Sequence, residues 1–389
     1  MTTQLAKTAI GAALLGSLAV GAAPAAAAPA GTSRISLDSN GGQAAEYRSE
    51  PFAASTDGRY VAFTSAAPNL VPGDTNETWD VLVRDRRAGT TTLVSRSGAG
   101  VPGNSSSYGQ AMSPDGRYVS FTSDATDLVP GDTNGAYDGF VRDLRTGTTS
   151  RVTLTSGGTQ ANARSYAPAI SADARYVAFV SDATDVVPGD TDGVADVFLR
   201  DRRAGTTVRV SAGGPADAPA ISADGRYVTY TSGGKVLVYD RRSGGTVVVA
   251  GQTAAGPAIS ADGRYVTFTS EGKVLVHDRR SGNTIVVAGG PSAGPAISAD
   301  GRYVTFTSDA TNLVAGDTNG VSDVFRRDLR LGTTVRVSLT AGGAQAADVS
   351  YAGVITGDGR SVAFASAATD LVPGDTNGVT DTFLRHLSD

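Results

Sequence analysis

The chain has 389 residues with no cysteine, 2 histidines and 49 glycines, and its 33 Lys and Arg against 38 Asp and Glu give a formal charge of −5. These counts exclude disulfide frameworks, thiolate metal sites and cysteine nucleophiles, and they restrict any imidazole base to His277 or His386. Basic residues are scattered rather than clustered, so the sequence predicts no nucleic-acid partner.

The first 30 residues are interpreted as a secretory signal peptide rather than as part of the fold. Lys7 precedes an apolar run over residues 9–20, and small residues near position 28 offer a cleavage site. The run is too short to span a membrane, and no later segment reaches that length, so no membrane span is expected. An Ala-rich tail without a targeting role is the alternative. We therefore expect secretion after cleavage near Ala28 to Ala30 and a single domain over residues 31–389.

The four-residue motif Asp-Gly-Arg-Tyr recurs seven times at spacings of 58, 58, 51, 38, 38 and 58 residues, with Ala174 replacing Gly in the third copy and Ser361 replacing Tyr in the seventh. Each repeat unit contains four runs rich in Val, Thr, Tyr and Phe separated by turn signals; in the fourth unit these cover residues 218–222, 226–232, 235–240 and 246–250. The pattern predicts an all-β chain that forms a seven-bladed β-propeller of four-stranded blades. The motif copies begin at Asp57, Asp115, Asp173, Asp224, Asp262, Asp300 and Asp358.

The two ends of the chain indicate how the ring closes. The last unit stops after its third strand, whereas residues 34–43 copy residues 151–160 and 336–345, which are fourth strands with their exit loops. We therefore predict that an N-terminal strand, about Arg34 to Asp38, completes the last blade. This pairing would leave no unpaired edge between the first and last blades, and a linear solenoid would not need it.

The repeated pattern Ser-Ala-Asp-Gly-Arg-Tyr-Val-x-Phe-x-Ser, followed by a strand that ends in Arg-Asp, resembles the WD-repeat-like propeller repeats of the TolB-like superfamily. The resemblance covers residues 33 to 389. It implies a propeller used for binding, because the TolB propeller contacts protein partners in the cell envelope. This chain departs from TolB by having no separate domain ahead of the propeller, and from propeller-bearing peptidases by having no residues for a hydrolase domain.

Five units carry a long insertion between their second and third strands, on the face where we expect any localised function. The insertion places Asp and Asn side chains around a Gly turn, which is the arrangement of hard oxygen ligands that Ca²⁺ loops use. The two short units have Lys235 and Lys273 where the long ones have their last carboxylate, which favours a cation in the long loops. Against this, the bidentate Glu of an EF-hand loop is missing, and Asn-Gly turns capped by Asp explain the same letters.

Calcium is therefore the one cofactor that the sequence suggests, and plain turns are the alternative. The candidate metal ligands are Asp74, Asn76, Asp80, Asp132, Asn134, Asp138, Asp190, Asp192, Asp196, Asp317, Asn319, Asp323, Asp375, Asn377 and Asp381.

The scarcity of histidine and the absence of a separate catalytic domain predict a protein without catalytic or organic-cofactor-binding residues. We expect a secreted, non-enzymatic, monomeric propeller that binds an unknown protein or cell-envelope component through the long-loop face. One alternative is a carboxylate-dependent enzyme, a lyase or glycosidase, with paired Asp side chains. Another is a glycan-binding propeller, which the shortage of aromatic residues in the loops disfavours. Trp79, in the first inserted loop, is interpreted as packed against a neighbouring loop rather than as a binding anchor.

Overall fold

The computed structural model describes residues 31–212 and 214–387. Within these ranges the chain forms 28 strands and no helix, arranged as seven antiparallel four-stranded sheets. The first strands of the sheets contact one another around a ring, so they surround the central channel. The predicted all-β, seven-bladed propeller is confirmed, while the predicted signal peptide, residues 1–30, lies outside the described residues.

The strands are numbered in chain order, and each blade runs from its innermost to its outermost strand. The first three blades are β2 (Ser49–Ala54), β3 (Tyr60–Ser65), β4 (Asp80–Asp85) and β5 (Thr90–Leu93); β6 (Ser107–Met112), β7 (Tyr118–Ser123), β8 (Asp138–Asp143) and β9 (Thr148–Arg151); and β10 (Ser165–Ile170), β11 (Tyr176–Ser181), β12 (Asp196–Asp201) and β13 (Thr206–Arg209). The next three are β14 (Ala216–Ile221), β15 (Tyr227–Ser232), β16 (Lys235–Asp240) and β17 (Gly245–Ala250); β18 (Ala255–Ile259), β19 (Tyr265–Ser270), β20 (Lys273–Asp278) and β21 (Asn283–Ala288); and β22 (Ser292–Ile297), β23 (Tyr303–Ser308), β24 (Asp323–Asp328) and β25 (Thr333–Arg336). The seventh blade is β26 (Ser350–Ile355), β27 (Ser361–Ser366), β28 (Asp381–His386) and the N-terminal β1 (Gly31–Arg34).

The N-terminal strand closes the ring as predicted, but it lies earlier in the chain than expected. β1 pairs antiparallel with β28 in a register that sets Gly31 opposite His386 and Arg34 opposite Phe383. The paired strand therefore ends at Arg34, whereas the prediction began there. Just beyond Arg34 the backbone N–H of Ile35 still donates to the carbonyl of Thr382 at 2.7 Å, and the chain then enters the exit loop, where an isolated bridge joins Leu37 to Gln43.

The hydrophobic cores lie between adjacent blades. Phe121 and Phe140 of the second blade are fully buried and stack with their ring centroids 5.5 Å apart. The same cluster includes Ala53 and Val81 of the first blade. Packing of this kind ties each blade to the next, and within residues 31–212 and 214–387 no helix has the length and apolarity that a membrane crossing requires.

Each letter of the repeated motif has a structural role, as the second copy shows. Gly116 has a φ of +75°, and a Cβ atom there would lie 2.3 Å from the ring of Tyr60 in the preceding blade. Asp115 accepts a hydrogen bond from the backbone N–H of Arg117 at 3.0 Å, and that guanidinium donates to both carboxylate oxygens of Asp143 at 3.0 and 2.6 Å. The motif therefore forms a turn, an ion pair within the blade and a contact between blades.

These ion pairs predict a loss of stability in acid. Hydrogen bonds from Arg59 and Arg175 hold the pKa of Asp85 and of Asp201 at about 2. Because these folded-state values lie below the unfolded value of about 3.9, the pairs stabilise the fold fully above that value and lose their contribution as the pH falls towards about 2. We expect the melting temperature to fall over this interval, and less steeply in Arg175→Gln than in the native chain. Arg48→Gln, which changes a surface arginine, serves as the control. If the melting temperature of Arg175→Gln fell with pH as steeply as that of the native chain, the Arg175–Asp201 pair would not be a source of the acid sensitivity.

Candidate functional site

The two faces of the disc differ in the length of their connections. On the turn face, every blade has tight turns such as residues 55–59 and 86–89. On the opposite face, which we call the loop face, five blades have 14-residue connections between their second and third strands, at 66–79, 124–137, 182–195, 309–322 and 367–380. The fourth and fifth blades have two-residue turns there instead, Gly233-Gly234 and Glu271-Gly272. The loop face is therefore low on one side.

Four of the five acidic loops hold an arginine between their carboxylates. In the second blade, Arg151 Nη2 lies 2.9 Å from Asp132 Oδ2 and Nε lies 3.2 Å from Asp138 Oδ2. Arg34, Arg209 and Arg336 make the same kind of contact in the seventh, third and sixth blades, with Asp375 and Asp381, with Asp190, Asp192 and Asp196, and with Asp317 and Asp323. In these loops a guanidinium lies where the sequence predicts a calcium ion.

The asparagines of these loops present their amide nitrogens, not their oxygens, to the carboxylates. Asn377 Nδ2 donates to Asp381 Oδ2 at 3.1 Å and to the carbonyl of Ala44 at 2.9 Å. Asn134 and Asn319 donate in the same way to backbone carbonyls, and Asn76 Nδ2 donates to Gly103. These side chains brace the loop against the neighbouring exit loop.

Among the residues that the structure describes, one group of three carboxylates is close enough to share a metal ion. In Asp190, Asp192 and Asp196, one oxygen of each side chain lies within 4.8 Å of the others. Arg209 lies 3.5 Å from Asp190, 3.6 Å from Asp192 and 2.5 Å from Asp196. Calcium binding by the five loops stays a prediction, and the first loop, Asp74 with Asn76 and Asp80, is the one in which no arginine contact is seen among the described residues.

A second set of side chains lies at the loop-face end of the central channel, on the side of the first three blades. Trp79 and Tyr137 are the last loop residues before the third strands of the first two blades, and Tyr108 and Tyr166 are the second residues of β6 and β10. The ring centroids of Trp79 and Tyr108 are 6.5 Å apart, as are those of Tyr108 and Tyr137. Trp79 therefore belongs to a partly exposed aromatic row at the channel mouth.

Charged groups accompany this row at both ends. Arg48 lies 5.2 Å from the ring of Trp79, and its Nε is 3.5 Å from Glu50. At the other end, Arg164 lies 5.2 Å from the ring of Tyr166 and forms an ion pair with Asp182. We call the whole set the mouth cluster: Arg48, Glu50, Trp79, Tyr108, Asp124, Tyr137, Arg164, Tyr166, Asp182 and Asp217.

The mouth cluster is rich in hydrogen-bond acceptors. Asp124 Oδ1 and Asp182 Oδ1 are buried and accept no hydrogen bond. Burial raises the pKa of Tyr137, and the negative charge of Asp124 raises it further. Burial likewise raises the pKa of Tyr166, and the negative charges of Asp217 and Asp182 add to this effect. The phenols therefore stay protonated at neutral pH and can donate hydrogen bonds, while four carboxylates against two guanidinium groups leave the mouth negative.

Two cavities extend along this cluster. The first, of about 290 Å³, is lined by Tyr108, Tyr137, Arg164 and Tyr166 among others. The second, of about 330 Å³, shares Tyr166 and continues over Gly233-Gly234 of the short fourth blade. An extended ligand lying on the aromatic row would therefore leave the mouth through the low side of the loop face.

A larger cavity of about 500 Å³ lies on the turn face between the fifth and sixth blades. Its charged groups already serve the fold, because Asp278 is bound by Arg264 at 2.8 Å and Arg302 binds Asp328 at 2.7 Å. We therefore place the candidate site at the mouth cluster.

Sequence reasoning singled out Trp79 but missed the tyrosines and arginines of the mouth. The signal lies in positions that differ between otherwise similar blades. Two positions show this variation. The residue just before the third strand differs among the long-loop blades: Trp79, Tyr137, Ala195, Ser322 and Thr380. The second residue of the innermost strand differs among six of the blades: Glu50, Tyr108, Tyr166, Asp217, Ala293 and Tyr351. The second blade has aromatic residues at both positions, Tyr137 and Tyr108, and the adjacent blades contribute Trp79 and Tyr166.

Comparison with known proteins identifies the fold but not a family. No protein-family model matches the chain, and neither does any curated protein. The solved structures that resemble it include an oligogalacturonate lyase from Vibrio parahaemolyticus, at 10% identity and a TM-score of 0.58, with 92% of this chain and 94% of that chain covered. They also include TolB from Acinetobacter baumannii, at 14% identity and a TM-score of 0.43, with 88% of this chain and 64% of that chain covered. TolB is therefore among the solved structures that this chain resembles, as the sequence pattern predicted, and the match at a TM-score of 0.58 shows the propeller fold.

The prediction of a non-enzymatic binding protein is contradicted. It rested on the scarcity of histidine and on the absence of a catalytic domain beside the propeller. The Vibrio parahaemolyticus lyase is covered over 94% of its length by this chain, so an enzyme can consist of such a propeller almost alone. The missing domain is therefore no argument against catalysis.

Proposed function

We propose that the protein binds an uncharged oligosaccharide across the mouth cluster and cleaves it. The observation that carries the proposal is the row of Trp79, Tyr108 and Tyr137 beside two cavities, the second of which has the carboxylate of Asp217 in its lining. Flat aromatic faces pack against the apolar faces of sugar rings, and carboxylates accept hydrogen bonds from sugar hydroxyls. Secretion by the predicted leader would bring this site to extracellular polysaccharide.

The charge of the mouth favours an uncharged sugar over an acidic one. Four carboxylates belong to the cluster, and both arginines are engaged, Arg48 near Glu50 and Arg164 with Asp182. A ligand that carries a carboxylate on every sugar would be repelled by this arrangement. Oligogalacturonate, the substrate named for the Vibrio parahaemolyticus enzyme, is therefore the informative comparison ligand.

The same carboxylates supply groups for glycoside cleavage. Asp182 and Asp217 both act electrostatically on the Tyr166 phenol, so both carboxylates lie near this ring. A pair of carboxyl groups that flank a glycosidic bond is the usual equipment for its hydrolysis: one protonates the leaving oxygen, and the other activates water or attacks the sugar. We assign the acid and base roles to this pair and the positioning of the sugar to the aromatic row.

The experiment separates binding from cleavage. Calorimetric titration of the protein with neutral oligosaccharides of cellulose, xylan and starch type, and with oligogalacturonate, is expected to give binding by a neutral sugar and none by the acidic one. Reducing-end release is expected with the bound sugar and is expected to be lost in Asp182→Asn and Asp217→Asn while binding persists. Binding without release would overturn the enzymatic part, and tighter binding of oligogalacturonate would overturn the choice of ligand.

A further inference from the structure

The acidic loop of the first blade differs from the other four in its fourth strand. In the first blade Leu93 pairs with Leu82, and in the second blade Arg151 pairs with Phe140, so Leu93 and Arg151 occupy equivalent positions. The equivalent position is arginine in the third, sixth and seventh blades as well, as Arg209, Arg336 and Arg34. The first blade therefore keeps the carboxylates of the loop but has an apolar side chain where the others have their guanidinium.

A second neutralising group is missing from the same place. In the second blade, Gln160 Nε2 donates to Asp132 Oδ1 and to Asp138 Oδ2, both at 2.8 Å. Gln160 forms a bridge with Leu154 in the exit loop, and the corresponding bridge in the first blade joins Arg96 to Pro102. Proline has no side-chain donor, so both partners of the acidic pair are replaced together.

The carboxylates left behind are buried and incompletely bonded. Asp80 is fully buried and Asp74 is 9% exposed. Asp80 Oδ2 and Asp74 Oδ1 accept no hydrogen bond, and the hydroxyl of Thr78 between them in the chain has no partner either. Ser95 donates a hydrogen bond to the other oxygen of Asp80. Such a pair of buried carboxylates is costly unless a counter-charge satisfies it.

We propose that the loop of the first blade binds one hard divalent cation between Asp74 and Asp80, in the place that a guanidinium takes in the other four loops. Two carboxylates match a doubly charged ion, and oxygen is the ligand atom that calcium and magnesium select. A cavity of about 410 Å³ adjoins the loop and is lined by Gly73, Leu93 and Pro102, which leaves room for water to complete the coordination shell. Arg96 also lines this cavity, but no ion pair with either carboxylate is seen in the described part of the chain.

The test uses the full chain, freed of metal with EDTA and dialysed, and titrated with calcium or magnesium in a calorimeter. We expect a single site for one of these ions and, at about one hundred times its Kd, a rise in melting temperature of roughly 3–4 °C. Asp74→Asn is expected to abolish the response. The matched control Asp132→Asn, in a loop that holds an arginine, is expected to leave both the stoichiometry and the response unchanged.

Leu93→Arg supplies the reciprocal test, because it restores the guanidinium of the other blades. We expect this variant to lose cation binding and to melt at a higher temperature in EDTA than the native chain. Should it fail to fold, Asp74→Asn still decides the matter. The proposal is overturned if neither ion binds the native chain, if binding survives Asp74→Asn, or if five ions bind and Asp132→Asn removes one of them.

Discussion

A chain that begins at Asp38 is expected to lose cooperative unfolding and to associate in solution, whereas a chain that begins at Gly31 is expected to melt like the full chain. The deletion removes β1 and leaves β28 as an unpaired edge strand. Exposed edges pair with other chains, and an opened ring also separates the first and seventh blades. Melting followed by circular dichroism, together with size-exclusion chromatography, measures both effects.

Ile35 carries much of this closure. It is 1% exposed and packs in one cluster with Val61 and Phe63 of the first blade and Leu384 of the seventh. Truncation of a buried isoleucine costs about 2–5 kcal/mol, so Ile35→Ala is expected to lower stability by a similar amount without opening the ring. An unchanged melt for the chain that begins at Asp38 would show that the seam between the first and last blades needs no N-terminal strand.

The closure could be predicted because it left a copy in the sequence. Residues 34–43 repeat the segment that begins at Arg151, which belongs to a fourth strand and its exit loop. The N-terminal copy is therefore predicted to take the same position in its own blade. The error of a few residues in the strand has the same origin. The predicted strand began at Arg34, which is the last residue of the fourth strand and, like Arg151, contacts an acidic loop. The repeat in fact extends into the pairing residues, because Thr32 and Ser33 match Thr149 and Ser150.

The acidic loops show a different limit. The sequence of each loop is compatible with a metal site and with a set of turns. The residue that distinguishes the two, an arginine that contacts the carboxylates, lies in another strand. Arg151 is 13 residues beyond Asp138 in the chain, and only the register of β8 with β9 brings the two together. The mouth cluster was harder still, because it gathers single residues from several blades at positions where the blades differ. Repeats reveal the scaffold, and departures from the repeat, such as Tyr108 or Leu93, reveal the sites.

Loss of the aromatic row is expected to remove oligosaccharide binding while the fold persists. Trp79 and Tyr166 lie near opposite ends of the row, Trp79 beneath Arg48 and Tyr166 between the two cavities. Truncation of an aromatic side chain that anchors a ligand costs about 2 kcal/mol, which is a factor of about 30 in Kd. Trp79→Ala and Tyr166→Ala are each expected to weaken binding of the neutral sugar by about that factor, and the double variant to abolish measurable binding.

Two controls separate stacking from other effects. Tyr166→Phe keeps the ring and removes the phenol, so it is expected to retain most of the affinity if the ring stacks on the sugar. Leu331→Ala changes an exposed side chain on the turn face, 66% accessible to solvent, and is expected to leave binding unchanged. Equal losses in Tyr166→Phe and Tyr166→Ala would assign the contact to the hydroxyl instead. Undiminished binding in Trp79→Ala and Tyr166→Ala, with both variants folded, would place the ligand elsewhere on the disc, because an aromatic surface that a sugar covers must lose affinity when its rings are removed.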